Sequence, residues 1–111
     1  MSEETPMTES KPPPSAADVV QTLRANREAL RQRGVLHASV FGSVVRGEAG
    51  ADSDIDILID IAPDRPMGMF EYTRVTLDIA DLFDRPTDVV ERKRLSPALR
   101  DRVIRESVDA F

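Results

Sequence analysis

Asp54 and Asp56 stand two residues apart in the run DIDILIDI, from Asp54 to Ile61, the cleanest alternation of acidic and apolar residues in the chain. Successive residues of a strand point to opposite faces. Ile55, Ile57, Ile59 and Ile61 therefore share one face, and Asp54, Asp56, Leu58 and Asp60 share the other. Two residues of strand rise place the Cα atoms of Asp54 and Asp56 roughly 6.5–7 Å apart. Carboxylates that close repel one another unless positive charge lies between them. A pair of magnesium ions suits the arrangement, because Mg²⁺ takes oxygen ligands, usually one or two carboxylates plus substrate phosphates. The isoleucines supply the anchor, since burying each contributes about 1.5–3 kcal/mol. A slip of one residue would turn the aspartates into the core, so the register is strongly specified. Asp60 lies about 13 Å beyond Asp56 along the strand and is read as structural. The same run also fits an ordinary half-buried strand with a solvated acidic face.

The residues upstream favour chemistry. Gly42-Ser43 closes the run VLHASVFG, and ten residues separate it from Asp54. A glycine there lets the backbone approach a ligand, and N–H groups at the start of a helical turn favour phosphate oxygens. Ser43 adds a hydroxyl donor. Alone, the pair is no more than a turn with a cap. Arg46-Gly47 falls within the interval and Ser53 directly precedes Asp54. Arg46 can assist with phosphates or form a surface ion pair with Glu48 or a loop aspartate. The single histidine, His37, has no evident partners and is read as structural.

Those residues need elements to hold them. Met1 to Pro14 has four prolines and no periodicity, and is expected to be a disordered tail before a domain over 15–111. Ser15 followed by Asp18 resembles an N-cap with an acidic first turn. Val19, Val20, Leu23 and Leu30 recur at helical spacing, which predicts one helix from Ala16 to Arg33, with Gly34 as its stop. Strands are expected over Val35 to Gly42, Asp54 to Ile61 and Thr87 to Glu91, with a helical turn and loop between the first two. A helix from Met69 to Phe83 is expected between the second and third strands, with Phe70 and Tyr72 packing in the core. Ser96-Pro97 reads as a cap and first position of a last helix that continues through Val108. The order is helix, strand, strand, helix, strand, helix, which implies an α/β (α+β) fold, a small mixed sheet with helices packed on one side.

Composition bounds the function. A chain of 111 residues, 41% hydrophobic and 32% charged, suits one globular domain without a separate substrate domain. It has no cysteine, so disulfides and thiolate metal sites are excluded and a cytoplasmic setting is expected. Asp and Glu number 20 against 15 Lys and Arg, which argues against nucleic-acid binding through a basic patch. No apolar run approaches the roughly 20 residues that span a bilayer, and the acidic start is not a signal peptide.

The stretch FGSVVRGEAGADSDIDILID, Phe41 to Asp60, resembles the signature of the DNA polymerase beta-like nucleotidyltransferase superfamily. More closely it resembles the minimal nucleotidyltransferase (MNT) proteins, antitoxin partners of HEPN-domain toxins. The resemblance covers about Val35 to Val90, and Gly-Ser, Arg-Gly and Asp-x-Asp appear in order with nothing missing. It implies a polymerase beta-like fold and a third carboxylate on a later strand, matched by Asp88 in TDVVE. Glu91, three residues on, would face the other way. The resemblance further implies that Asp54, Asp56 and Asp88 ligate two Mg²⁺ (or Mn²⁺) ions and that Gly42 and Ser43 hold the triphosphate of ATP. The expected reaction is transfer of AMP, or another nucleoside monophosphate, to a protein hydroxyl. A tyrosine of a HEPN-type toxin is the acceptor this implies, a protein adenylyltransferase acting as antitoxin. Two other readings stand beside it: a non-catalytic module that neutralises a partner by contact, and a nucleotidyltransferase acting on a small molecule.

Overall fold

The computed structural model describes residues 13–50, 53–64 and 67–111. The expected tail, apart from Pro13 and Pro14, lies outside the described residues. Ser15 caps α1 (Ala16–Ala25), its hydroxyl accepting from the Asp18 N–H at 3.0 Å. The long first helix is in fact two. Asn26 leaves helical geometry at φ −108°, ψ 8°, and its side-chain amide donates back to the Thr22 carbonyl at 2.8 Å. A short polar side chain bonding its own backbone competes with helix continuation. The chain restarts as α2 (Arg27–Gln32), which still brings Leu30 into the core.

Four strands follow: β1 (Val35–Phe41), β2 (Ile55–Ile61), β3 (Thr87–Glu91) and β4 (Val108–Asp109). They lie in the order β3-β2-β1-β4. β1 is antiparallel to both β2 and β4, and β2 runs parallel to β3. A parallel pair needs a crossover, supplied here by α4 (Met69–Ala80). The single turn α3 (Ser43–Arg46) lies between β1 and β2, and α5 (Pro97–Glu106) between β3 and β4. The register of β1 slips between Val35 and His37, so Val35 and Ala38, three apart, are both fully buried while Leu36 is exposed.

Ile55, Ile57, Ile59 and Ile61 join Val19, Leu23, Leu30, Val75 and Ile79 in one buried cluster. This is the face that anchors β2. Leu58, on the aspartate side, and Val103 of α5 are buried outside that cluster. Among the described residues no helix is long and apolar enough to cross a membrane.

Three further expectations about the helices need correction. α4 ends at Ala80 rather than Phe83, and tighter turns take over, with Leu82 bonded to Ile79 and Phe83 to Ala80. Phe70 is 93% exposed, not a core residue, and Tyr72 is only half-buried, beneath the Arg94 guanidinium at 4.5 Å from the ring centroid. Val75 and Ile79 define the inward stripe of α4, and Phe70 falls about 140° away from Val75 at 3.6 residues per turn. The last helix stops at Glu106, because Ser107 is extended and Val108 pairs with Val40 in the sheet. The Ser39 hydroxyl donates to the Asp109 carboxylate at 2.8 Å, and the Ala110 N–H to the Ala38 carbonyl at 2.9 Å. Satisfying the open edge of β1 outweighs one more helical turn.

Candidate active site

β2 carries Asp56 and β3 carries Asp88, and the two are register partners on adjacent parallel strands. Their side chains therefore leave the sheet side by side on one face. Asp54 is exposed and lies one residue before the first of β2, with the same parity as Asp56. The Ile55 N–H donates to the Pro86 carbonyl at 3.0 Å, which fastens the entry of β2 to that of β3. Three carboxylates thus gather at one end of the sheet.

Among the described residues nothing cationic is bonded to them. Asp60 has Arg92 at 2.9 Å and Asp78 has Arg33 at 2.5 Å. Among the described residues, Asp54, Asp56 and Asp88 have no hydrogen-bond or ion-pair partner. Burial pushes the Asp56 carboxyl above its ordinary pKa, and the charges of Asp88 and Asp54 push it the same way. Arg46 opposes this from a distance. Asp56 is thus a carboxylate whose ionised form is short of positive charge, an environment that a divalent cation would relieve.

Among the described residues no three carboxylates or imidazoles close around a common point. Magnesium does not require such a cage, since it keeps several waters and takes one or two carboxylates plus phosphate oxygens. The donor set is hard oxygen throughout, and it fits that ion.

Phe41, the last residue of β1, pairs with Asp56, so the chain turns into α3 directly beside the carboxylate. Gly42 makes that turn at φ +83°, ψ −153°, a conformation reserved to glycine. A Cβ at this position would overlap Oδ2 of Asp56. The backbone lies so close to the carboxylate that any side chain would displace it. α3 is then closed by Gly47, left-handed at φ +74°. Ser43 begins the turn and is half-buried.

Arg46 is held by two glutamates. Its Nε donates to Glu48 Oε1 at 2.9 Å, and Nη1 donates to Glu106 Oε1 and Oε2 at 3.0 and 3.2 Å. The ion pair with Glu48 is one that the spacing allowed. Glu106 is a new participant, arriving from the last turn of α5 and also accepting from the Gly42 N–H at 3.2 Å. No sequence motif singles it out; the only hint is that Arg46 needed a counterion. Asp60 sits away from this group, paired with Arg92.

The geometry sets a glycine-led helical turn directly against a pair of neighbouring carboxylates. The nucleotidyltransferase domain family matches residues 23–110, a span that holds all of these side chains. This chain belongs to that family. A nucleotidyltransferase of Thermococcus cleftensis, the protein adenylyltransferase MntA, is 34% identical over 92 residues, covering 82% of this chain and 91% of that protein. A Methanocaldococcus jannaschii protein assigned as a protein adenylyltransferase is 32% identical over 82 residues, covering 74% and 86% of the two chains. A solved structure assigned to the minimal nucleotidyltransferases superposes with a TM-score of 0.62 at 38% identity, covering 80% of this chain and 93% of that one. The complex of tri-AMPylated Shewanella oneidensis HEPN toxin with MNT antitoxin contains a chain that matches with a TM-score of 0.57 at 19% identity, covering 83% and 71%. At that identity the likeness is one of fold alone.

Proposed function

We propose that this nucleotidyltransferase moves AMP from ATP onto a protein hydroxyl, a tyrosine of a HEPN-type toxin, and so acts as an antitoxin. The observation that carries the reading is the side-by-side placement of Asp56 and Asp88, without a counterion among the described residues, with Gly42 packed against Asp56. The names of the relatives at 34% and 32% identity support the choice of a protein acceptor. The fold shared with a toxin–antitoxin complex supports the choice of partner.

Asp54 and Asp56 would hold both divalent ions, and Asp88 would hold the one on the side of the acceptor hydroxyl. When bound, the two divalent ions supply charge stabilisation at the α-phosphorus and lower the pKa of the attacking hydroxyl. The acceptor oxygen forms a bond to the α-phosphorus, the bond to the β-phosphate oxygen breaks, and pyrophosphate leaves. Asp88 takes the hydroxyl proton. Gly42 and Ser43 orient the β- and γ-phosphates, and Arg46 lends positive charge beside them. Much of the rate comes from holding acceptor and leaving group in line.

Two measurements test this. ATP binding followed by titration calorimetry should require Mg²⁺ or Mn²⁺, since the bare carboxylate group repels a polyphosphate. Equal affinity in excess chelator would sink the two-metal assignment. The second is mass spectrometry of a HEPN-type partner after co-expression. A gain of one or more AMP units with the wild type and none with Asp54→Asn is the expected result. Growth rescue by both forms, with no gain in mass, would show neutralisation by contact alone.

A further inference from the structure

Glu106 stands in an unfavourable place twice over. It is the last residue of α5, and a negative charge at a helix C-terminus works against the helix dipole. It also adds a carboxylate to a group that already holds three, and its charge helps to keep Asp56 from ionising. Neither the helix nor the charge of the neighbouring aspartates explains its presence.

Its contacts do. Oε1 accepts at once from the Gly42 N–H at 3.2 Å and from Arg46 Nη1 at 3.0 Å. Gly42 precedes α3 and Arg46 ends it, so one carboxylate clamps both ends of the turn. The clamp itself is anchored. Ser107 is extended, and Val108 and Asp109 pair with Val40 and Ser39 of β1, just upstream of Gly42. Arg46 keeps the Nη2 end of its guanidinium without a protein partner among the described residues, since Nε and Nη1 take the two glutamates. A rigid fork with one end committed and the other open is a pre-aimed anion donor.

We propose that Glu106 is a positioning residue for the nucleotide: by tying Gly42 to Arg46 it fixes the α3 turn against the Asp56–Asp88 pair and aims Arg46 at the triphosphate. The proposal rests on the active-site reading above. Glu106 touches no substrate. It acts through the turn it holds.

The test compares E106A, E106Q and wild type in three readouts: melting temperature, Mg²⁺–ATP affinity by calorimetry, and exchange of the Gly42 amide in the metal-free protein. E106A should melt within a few degrees of wild type, exchange the Gly42 amide faster, and bind Mg²⁺–ATP about tenfold more weakly, the lower end of the loss usual for supporting residues of metal sites. In turnover the change should appear chiefly in the KM for ATP. E106Q retains an oxygen that can accept from Gly42 and should fall closer to wild type than to E106A. Should E106A fail to fold, E106D carries the test: it keeps the charge but is one methylene short of bridging Gly42 and Arg46, and a raised KM is expected. Unchanged Mg²⁺–ATP affinity in E106A, or a wild-type KM in E106D, would overturn the proposal while leaving the active site standing. Failure of the wild type to bind Mg²⁺–ATP would overturn both.

Discussion

Asp56→Asn is expected to reduce transfer by about a thousandfold while the metal-free protein melts no earlier than wild type. The loss follows from removing charge that acts on the transition state in a preorganised site, where single groups are worth on the order of a hundredfold to a thousandfold. The stability follows from the environment. Burial and the two neighbouring aspartates raise the Asp56 pKa in the fold above its unfolded value. The folded protein then binds the proton more tightly than the unfolded chain, so stability rises as pH falls through the interval between the two values. At neutral pH the ionised carboxylate is a cost to the metal-free fold. Asparagine removes it. Thermal melts of both proteins in chelator, at neutral and mildly acidic pH, check this directly. The wild type should gain on acidification relative to the variant. A variant that melted far earlier yet kept its activity would make Asp56 a structural residue.

Gly42→Ala should damage the protein in the opposite way, through the backbone. At φ +83°, ψ −153° an L-residue is strained by about 1–3 kcal/mol. Its methyl group would also overlap the Asp56 carboxylate. Either the turn opens or Asp56 rotates away, and each separates the α3 turn from the aspartates. A misplacement on this scale costs about a hundredfold in rate, and the melting temperature should drop with it. Gly47→Ala is the control. Gly47 is also left-handed, at φ +74°, but a Cβ there meets nothing within 4 Å. It should cost about 1–2 kcal/mol of stability and leave transfer per folded molecule nearly intact. Chemical denaturation and transfer assays on both variants separate strain from collision. Equal activities would show that the close approach of Gly42 to Asp56 is irrelevant to the reaction.

The parts of the fold legible in the sequence were those whose cause is local. The alternation in DIDILIDI set the faces of β2, and the Ser15 and Ser96 caps marked the starts of α1 and α5. Asp88 was placed by likeness to a family, and the parallel register then set it beside Asp56. What stayed hidden depended on distant partners. Val108 continues a helical spacing from Ile104, and only the open edge of β1 explains why it joins the sheet. Glu106 reaches Gly42 across 64 residues of sequence, with no pattern linking them. Phe70 is exposed for a different reason: it is apolar, but angle about the α4 axis decides burial and it lies off the inward stripe.

The β3-β2-β1-β4 order also sets a timetable for synthesis. The ribosome delivers a chain N-terminus first, so the β1–β2 hairpin emerges bearing Gly42, Asp54 and Asp56 while Asp88 is still a whole helix away. Glu106 and the β4 residues that anchor it emerge later still. A nascent chain therefore exposes its paired aspartates before the turn facing them is braced. The contacts of Glu106 with Gly42 and Arg46 wait for the C-terminal strand to close the far edge of β1.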